Sequence, residues 1–259
     1  MKIEYYDVHC HFDDVRFHNK IKNFITQSKS ENIKLWISSA LDPPSIEFHK
    51  ALTQKYQNIK YSIGIHPYDV LRYEKFLDSA IANLNNKNCI AIGETGLDFT
   101  DGQKYRKEQS NLFLILAQEA YKNNLPMILH LRKSYYEFLQ LLKRKPFLKE
   151  ITYIIHSFSG PLAIIDEFLK FNIYFSFNGA IIAPRANKLR EKLLEVPISK
   201  LLLETDAPYI PLFGKNQNYN IPTNIKYVYK AAANILNISE LELCQIIKNN
   251  LKKIFHNKI

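Results

Sequence analysis

The chain is sparing with the residues that mark several protein classes. Its three cysteines, Cys10, Cys89 and Cys244, are odd in number and far apart. They match neither the paired spacing of a zinc site nor the framework of a disulfide-stapled secreted domain. No apolar run approaches the length needed to span a bilayer. The start, MKIEYYDVHCH, carries charge at Lys2 and a histidine at His9, so it does not read as a secretory signal. No Pro/Gly/Ser-rich linker or shift of composition divides the 259 residues. These absences predict a cytoplasmic protein with reduced thiols and no membrane association. They also predict a single domain over residues 1–259, with room for a substantial core. The formal charge of +10 is spread along the chain, and clusters such as Lys143-Arg144-Lys145 read as solvated helix surface. A positive field nevertheless favours a polyanionic substrate.

What is present is a repeat of another kind. Eight short apolar runs each end in a residue fit to bind a metal or a polar ligand: His9/His11, Ser38/Ser39, His66, Glu94, His130, His156, Asn178 and Asp206. Successive ends, counted from His9 through Ser39, lie 22 to 36 residues apart, the length of one strand plus one helix. The expected strands are Ile3–Val8, Leu35–Ser39, Tyr61–Ile65, Ile90–Gly93, Met127–His130, Thr152–His156, Ile173–Phe177 and Leu201–Glu204. Most are apolar throughout, as strands of a parallel sheet covered on both faces are.

Helical spacing fills the intervals. Leu112, Phe113, Leu116, Ala117, Ala120 and Tyr121 recur on one face of Gln109–Asn123. Ile225, Val228, Tyr229, Ala232, Ala233 and Leu236 repeat the pattern, and Ser239 with Glu242 opens a last helix through Ile254. Alternating strands and helices of this number predict an α/β fold, a (β/α)8 TIM barrel with its site at the C-terminal ends of the strands. Of only seven glycines, Gly64, Gly93, Gly96, Gly160 and Gly179 lie within four residues of those polar strand ends. Glycine there permits a sharp turn or a close approach.

The residues at the ends suit metal chemistry. His9 and His11 share one face of a strand, with Cys10 on the other, so two imidazoles converge on one cation. Glu94, in Gly93-Glu94-Thr95-Gly96-Leu97-Asp98, is an awkward buried charge among histidines unless a cation neutralises it. It can offer one oxygen to each of two metals. Asp98 is compatible with a turn, a helix start or a catalytic role. His130 and His156, at consecutive strand ends, suit a second metal. Asp206 lies nearer the open end than Glu204, so Asp206 is assigned to metal and general base and Glu204 to supporting the ligands from behind. His66 is placed to grip a substrate oxygen, and Arg132 and Lys133 to hold phosphate. Tyr68, Phe99, Tyr135, Tyr136 and Tyr209 are aromatics near strand ends, available to stack an unpaired base or to pack. His18, His49 and His256 fall outside the pattern and read as structural or exposed.

These residues resemble the TatD-type deoxyribonucleases of the metal-dependent amidohydrolase superfamily. The resemblance runs from Asp7 to about Phe255, with motifs in order: DVHCHF, GIHPY, GETGLDF, a helix containing Gln109 that leads to LPMILHLR, HSFSG and ETDAPYIP. It implies that His9, His11, Glu94 and Asp206 hold one metal, that Glu94, His130 and His156 hold another, and that His66 contacts the scissile phosphate. Similar proteins hydrolyse DNA, often as 3′→5′ exonucleases that prefer single strands, with Mg2+ or Mn2+. Two departures stand out. Tyr68 occupies the place where the family commonly has a second histidine, so a substrate-contacting role there falls to a tyrosine. After Pro211 the expected Arg-Gly-Lys-x-Asn-x-Pro stretch becomes Phe213-Gly214-Lys215-Asn216, with Pro222 displaced.

The expected activity is therefore metal-dependent hydrolysis of DNA phosphodiesters, with two divalent ions, Mg2+ or Mn2+ first and Zn2+ compatible. The expected partner is DNA, single-stranded or at 3′ ends, and no obligate protein partner is implied. Two rival readings remain. One is an amide or ester hydrolase of the same superfamily, such as an aminoacyl-tRNA deacylase. Relatives with a bridging carboxylated lysine would need Lys where this chain has Glu94, which favours the nuclease. The other is a non-catalytic nucleic-acid-binding protein, whose mark would be a missing ligand, and none is missing.

Overall fold

The computed structural model describes residues 2–100, 104–216 and 218–256. Eight strands form one parallel sheet in sequential order: β1 (Tyr5–Cys10), β2 (Ile33–Ala40), β3 (Ile59–Ile63), β4 (Cys89–Asp98), β5 (Met127–Arg132), β6 (Tyr153–Ile155), β7 (Ile173–Phe177) and β8 (Leu201–Leu203). The helices are α1 (Ile21–Glu31), α2 (Pro43–Lys55), α3 (Glu74–Ala82), α4 (Arg106–Asn123), α5 (Tyr135–Arg144), α6 (Ala163–Leu169), α7 (Asn187–Glu195), α8 (Ile225–Leu236) and α9 (Glu240–Phe255). The expected TIM barrel is observed, nearly closed. Strands β5 to β8 are buried almost without interruption, which is why they read as apolar runs rather than alternating ones. The helix starts follow from side-chain caps. Asp42 accepts from Ser45 N–H ahead of Pro43 and Pro44, and Ser239 accepts from Glu242 N–H.

Most strand limits shift by one to five residues from the sequence-based expectation, and three of the shifts bear on the site. β1 runs to Cys10 rather than Val8, because its end finds partners in Ser38 and, across the seam, Ala207. β3 stops at Ile63, and His66 caps the following turn of Pro67–Arg72 instead of ending the strand. β4 extends to Asp98, five residues beyond Gly93. The Gly-Glu-Thr-Gly stretch looks like a turn, yet β5 supplies partners for Thr95, Gly96, Leu97 and Asp98. Glu94 consequently lies within a strand, and Asp98 at its end.

The barrel is drawn shut between β1 and the segment after β8. His11 N donates to Ala207 O at 2.8 Å, and Asp206 N to His9 O at 3.0 Å. Below them the buried Asp7 carboxylate accepts from Thr205 N at 2.9 Å and meets Thr205 Oγ1 at 2.6 Å. Tyr229 in α8 adds a further tie, its hydroxyl lying 3.1 Å from Tyr6 O and 3.2 Å from Tyr6 N. The seam therefore carries the backbone of His9, His11 and Asp206 together. Among the described residues no helix is long and apolar enough to cross a membrane, and the three cysteines are free and buried.

Thr205→Val tests the seam, since it preserves shape and strands Asp7 Oδ2 without its hydroxyl partner. Denaturant unfolding of the metal-free protein is expected to show a loss of about 1–3 kcal/mol. An unchanged unfolding midpoint would show that the seam does not depend on this contact.

Candidate metal centre

At the C-terminal mouth of the barrel five imidazoles surround one carboxylate. The alternation of β1 sends His9 and His11 to the same side, their rings 4.8 Å apart and nearly perpendicular. Glu94 Oε2 lies 3.3 Å from His9 Nε2 and 3.9 Å from His11 Nε2. Its other oxygen, Oε1, lies 2.8 Å from His130 Nδ1, 3.0 Å from His156 Nε2 and 3.5 Å from His66 Nε2. Asp206 Oδ1 stands 3.7 Å from both His9 Nε2 and His11 Nε2. The carboxylate of Glu94 thus presents one oxygen to His9 and His11 and the other to His130 within β5 and to His66 and His156 after β3 and β6. Among the described residues three groups of candidate ligand atoms lie close together: His9, His11 and Asp206; His9, Glu94 and His156; His66, Glu94 and His130.

Two glycines make this convergence possible. Gly93 and Gly96 have φ of +154° and +145°, and an added Cβ would stand 2.5 Å from Ile128 O and 2.1 Å from His130 O respectively. Only glycine allows β4 to run this close to β5, which sets Glu94 beside His130. Asp206 has φ +55°, a left-handed conformation that a short polar residue tolerates, held by the hydrogen bond of its N–H to His9 O.

A second set of groups orients the first. His130 Nε2 donates to Asp98 Oδ2 at 2.8 Å, leaving Nδ1 for the centre. Asp98 in turn accepts from Thr100 N–H and its hydroxyl. Glu204 Oε1 accepts from Ser157 N at 2.7 Å and lies 3.4 Å from His156 Nδ1. Ser39 Oγ lies 3.3 Å from His9 Nδ1. His66 Nδ1 accepts from Tyr68 N–H at 3.2 Å, so the ring proton sits on Nε2, which faces the centre as a donor.

The electrostatics are those of a site short of positive charge. Burial would raise the Glu94 carboxyl, but the nearby His156 and His9 rings and hydrogen bonds from His130 and His156 hold it well below the usual carboxylate range. Burial alone would lower His156. The attraction of Glu94 and the contact with Glu204 instead raise it well above an ordinary histidine. His130 rises likewise through Asp98 and Glu94, against its burial. His9 is lowered, chiefly by burial and then by repulsion from His156. Its Nε2 is wholly buried, has no hydrogen-bond partner, and faces two carboxylate oxygens. A buried imidazole nitrogen left without a partner beside anionic oxygens is costly in an apolar medium, and a divalent cation is what reconciles them. The mixed histidine and carboxylate donors fit such an ion.

A cleft of about 460 Å³ opens above the cluster, lined by His11, Leu41, His66, Tyr68, Asp69, Glu94, His130, Arg132, His156, Asp206 and Tyr209. The expected ligands His11, Glu94, His130, His156 and Asp206 and the expected substrate contacts His66, Tyr68 and Arg132 thus reach it, whereas His9 and Glu204 are fully buried behind it. Tyr68 is exposed and packs edge-on to His66 at 4.6 Å, and half-exposed Tyr209 does the same to His11 at 5.3 Å. Other expectations fall away. Tyr135 and Phe99 are core side chains, Phe99 under the Arg106 guanidinium, and the exposed Tyr136 and Lys133 lie outside the cleft. Asn178 caps the turn Gly179–Ile182 and donates to Ser157 Oγ, so that strand end is structural. The residue left undecided from sequence, Asp98, belongs to the site. Glu94, Gly96 and Asp98 share one face by the period of two, a signal visible once the strand is continued past Gly93.

An eight-stranded β/α barrel with a buried histidine–carboxylate cluster at its C-terminal mouth has the architecture of a metal-dependent hydrolase. The family model for TatD-related DNases matches residues 6–256, and the chain belongs to that family. It is 29% identical to the uncharacterised metal-dependent hydrolase YabD of Bacillus subtilis, over 96% of this chain and 98% of that protein. A Mycoplasma genitalium protein of the same description is 30% identical over 98% of this chain and 99% of its own length. The crystal structure of YjjV, a TatD homologue from Escherichia coli, is similar with a TM-score of 0.87 at 28% identity, covering 98% of this chain and 99% of that one.

Asp98→Asn removes the charge that faces His130 while keeping its shape. In the metal-free protein the His130 titration, followed by NMR, is expected to move to lower pH by roughly 1–3 pH units. A titration that stays in place would show that Glu94 alone governs His130.

Proposed function

We propose that this chain hydrolyses phosphodiester bonds of DNA, as a 3′→5′ exonuclease that prefers single strands. The observation that carries the reading is the division of the Glu94 carboxylate, one oxygen toward His9 and His11 and the other toward His130 and His156. That arrangement supports two divalent cations, Mg2+ or Mn2+ first and Zn2+ compatible. His9, His11, Glu94 and Asp206 would hold one, and Glu94, His130 and His156 the other. When bound, such ions supply Lewis acidity and a water of lowered pKa.

The protein's own groups complete the reaction. Asp206, at the cleft floor, accepts the proton of the attacking water. His66 Nε2–H donates to a phosphoryl oxygen as charge grows there, which is a donor's role and not a ligand's. Arg132, exposed at the rim of the same cleft, offers its guanidinium to the phosphate. Glu204 and Asp98 fix the rings of His156 and His130 from behind. Tyr68, with its ring against His66, borders the path a strand would take. The name of the matched family and the net charge of +10 both favour a nucleic-acid substrate.

End-labelled single-stranded and duplex DNA, with wild type and Glu94→Ala in Mg2+, Mn2+ or EDTA, tests this reading. Stepwise shortening from the 3′ end is expected with either metal, abolished by EDTA. Loss of an outer-shell partner costs 10–100-fold, so loss of the shared ligand should cost at least about 100-fold. A metal-loaded protein that cleaves neither DNA, yet turns over amides or aminoacyl-tRNA, would replace the nuclease with the deacylase reading.

Metal uptake should also depend on pH in a set direction. His130 and His156 titrate above the ordinary histidine value in the metal-free centre, so a ligand must lose its proton before it binds. Calorimetry is expected to show Mn2+ affinity rising between about pH 6 and pH 8, with proton release. A flat profile would contradict histidine ligation.

A further inference from the structure

Ser38 and Ser39 are neighbours on β2, so their side chains leave opposite faces of the strand. Ser39 turns inward to His9. Ser38 turns to α2, where its Oγ lies 2.7 Å from His49 Nε2. His49 is fully buried and does not line the cleft. Its hydrogen-bond roles follow from its partners. Nδ1 sits 2.8 Å from Ser45 O, a carbonyl that can only accept, so Nδ1 carries the proton. Burial keeps the ring neutral, despite the nearby Asp13 carboxylate, and Nε2 is a bare acceptor. The Ser38 hydroxyl therefore donates to Nε2, and Ser38 Oγ keeps its lone pairs for Phe12 N–H at 2.8 Å. A turn away, Ser45 Oγ donates to Asp13 Oδ2 at 2.6 Å.

β2 thus grips residue 12 through Ser38, itself braced by His49 of α2, and the start of α2 grips residue 13 through Ser45, directly after His11. On the opposite side His11 N is tied to Ala207 O. The backbone that carries the His11 ring is held from both sides, and each bond in the chain from Phe12 through Ser38 to His49 has a fixed donor and acceptor. Such chains polarise cooperatively, so breaking one member weakens the rest.

We infer that His49 is a positioning residue for the metal centre, acting through Ser38 and the Phe12 backbone to set His11 against Asp206. The inference rests on the reading of His11 as a ligand. At present His11 Nε2 is 3.7 Å from Asp206 Oδ1, and a shift of the 11–13 segment would carry the ring away from that oxygen. A purely structural His49 would affect stability and leave metal affinity alone.

The test is calorimetric titration of the metal-free chain with Mn2+, alongside its unfolding midpoint, for His49→Leu, His49→Gln, Ser38→Ala and His11→Ala. Gln returns an acceptor near the place of Nε2, whereas Leu does not. His49→Leu and Ser38→Ala are expected to weaken Mn2+ binding about 10–100-fold, and His49→Gln to recover most of that loss. If both bind Mn2+ as tightly as wild type while His11→Ala is weakened, the positioning role is overturned and the ligand reading stands. If His11→Ala binds Mn2+ as tightly as wild type, the ligand reading falls and the inference with it. Should His49→Leu fail to fold, Ser38→Ala alone decides.

Discussion

The structure turns on one carboxylate. Glu94 is almost completely buried and has imidazole nitrogens near both of its oxygens, so little of its carboxylate is left to water. A charge in that position is tolerable only if its surroundings are fixed to well under an ångström, because each neighbour's protonation depends on it. The glycines of β4, the seam between β1 and the segment after β8, and the carboxylates behind His130 and His156 can all be understood as ways of fixing it.

Strand geometry does most of this work. Parallel strands splay their ends toward one mouth, and the period of two selects which side chains point inward. β4 is the exception that makes the centre: it passes β5 so closely that side chains at positions 93 and 96 would collide with the β5 backbone. The penalty of glycine within a strand is accepted there in exchange for contact between Glu94 and His130. Around the mouth the groups differ in the freedom they retain. The cluster is buried or nearly so and tied by hydrogen bonds, whereas Tyr68 and Arg132 remain exposed at the rim, where they can adapt to a substrate.

Much of this was legible before any coordinates. Periodic apolar runs at the spacing of a β/α unit revealed the barrel, and histidines or acids at their ends revealed its mouth. His9 and His11, two apart at the end of β1, could be assigned to a face by alternation alone, whereas that argument does not reach Glu204 and Asp206, because β8 ends at Leu203 and Asp206 turns away at φ +55°. What could not be read depended on contacts distant in sequence. Asp98 looked like part of a turn because the partner that extends β4 lies more than thirty residues later. His49 sits in a helix without pattern, and its significance comes only from Ser38 on a neighbouring strand. Asn178 shows the opposite failure, since a polar strand end is equally a capping signal. Tyr135 and Phe99 show that an aromatic near a strand end is as readily packed into the core.

The central claim is that Glu94 is shared between two cations, and electron paramagnetic resonance of the chain titrated with Mn2+ addresses it most directly. The account predicts that a second equivalent of Mn2+ replaces the signal of an isolated ion with that of an exchange-coupled pair, and that Glu94→Gln abolishes the coupling. A single bound equivalent, or two that remain magnetically isolated in the wild type, would contradict it.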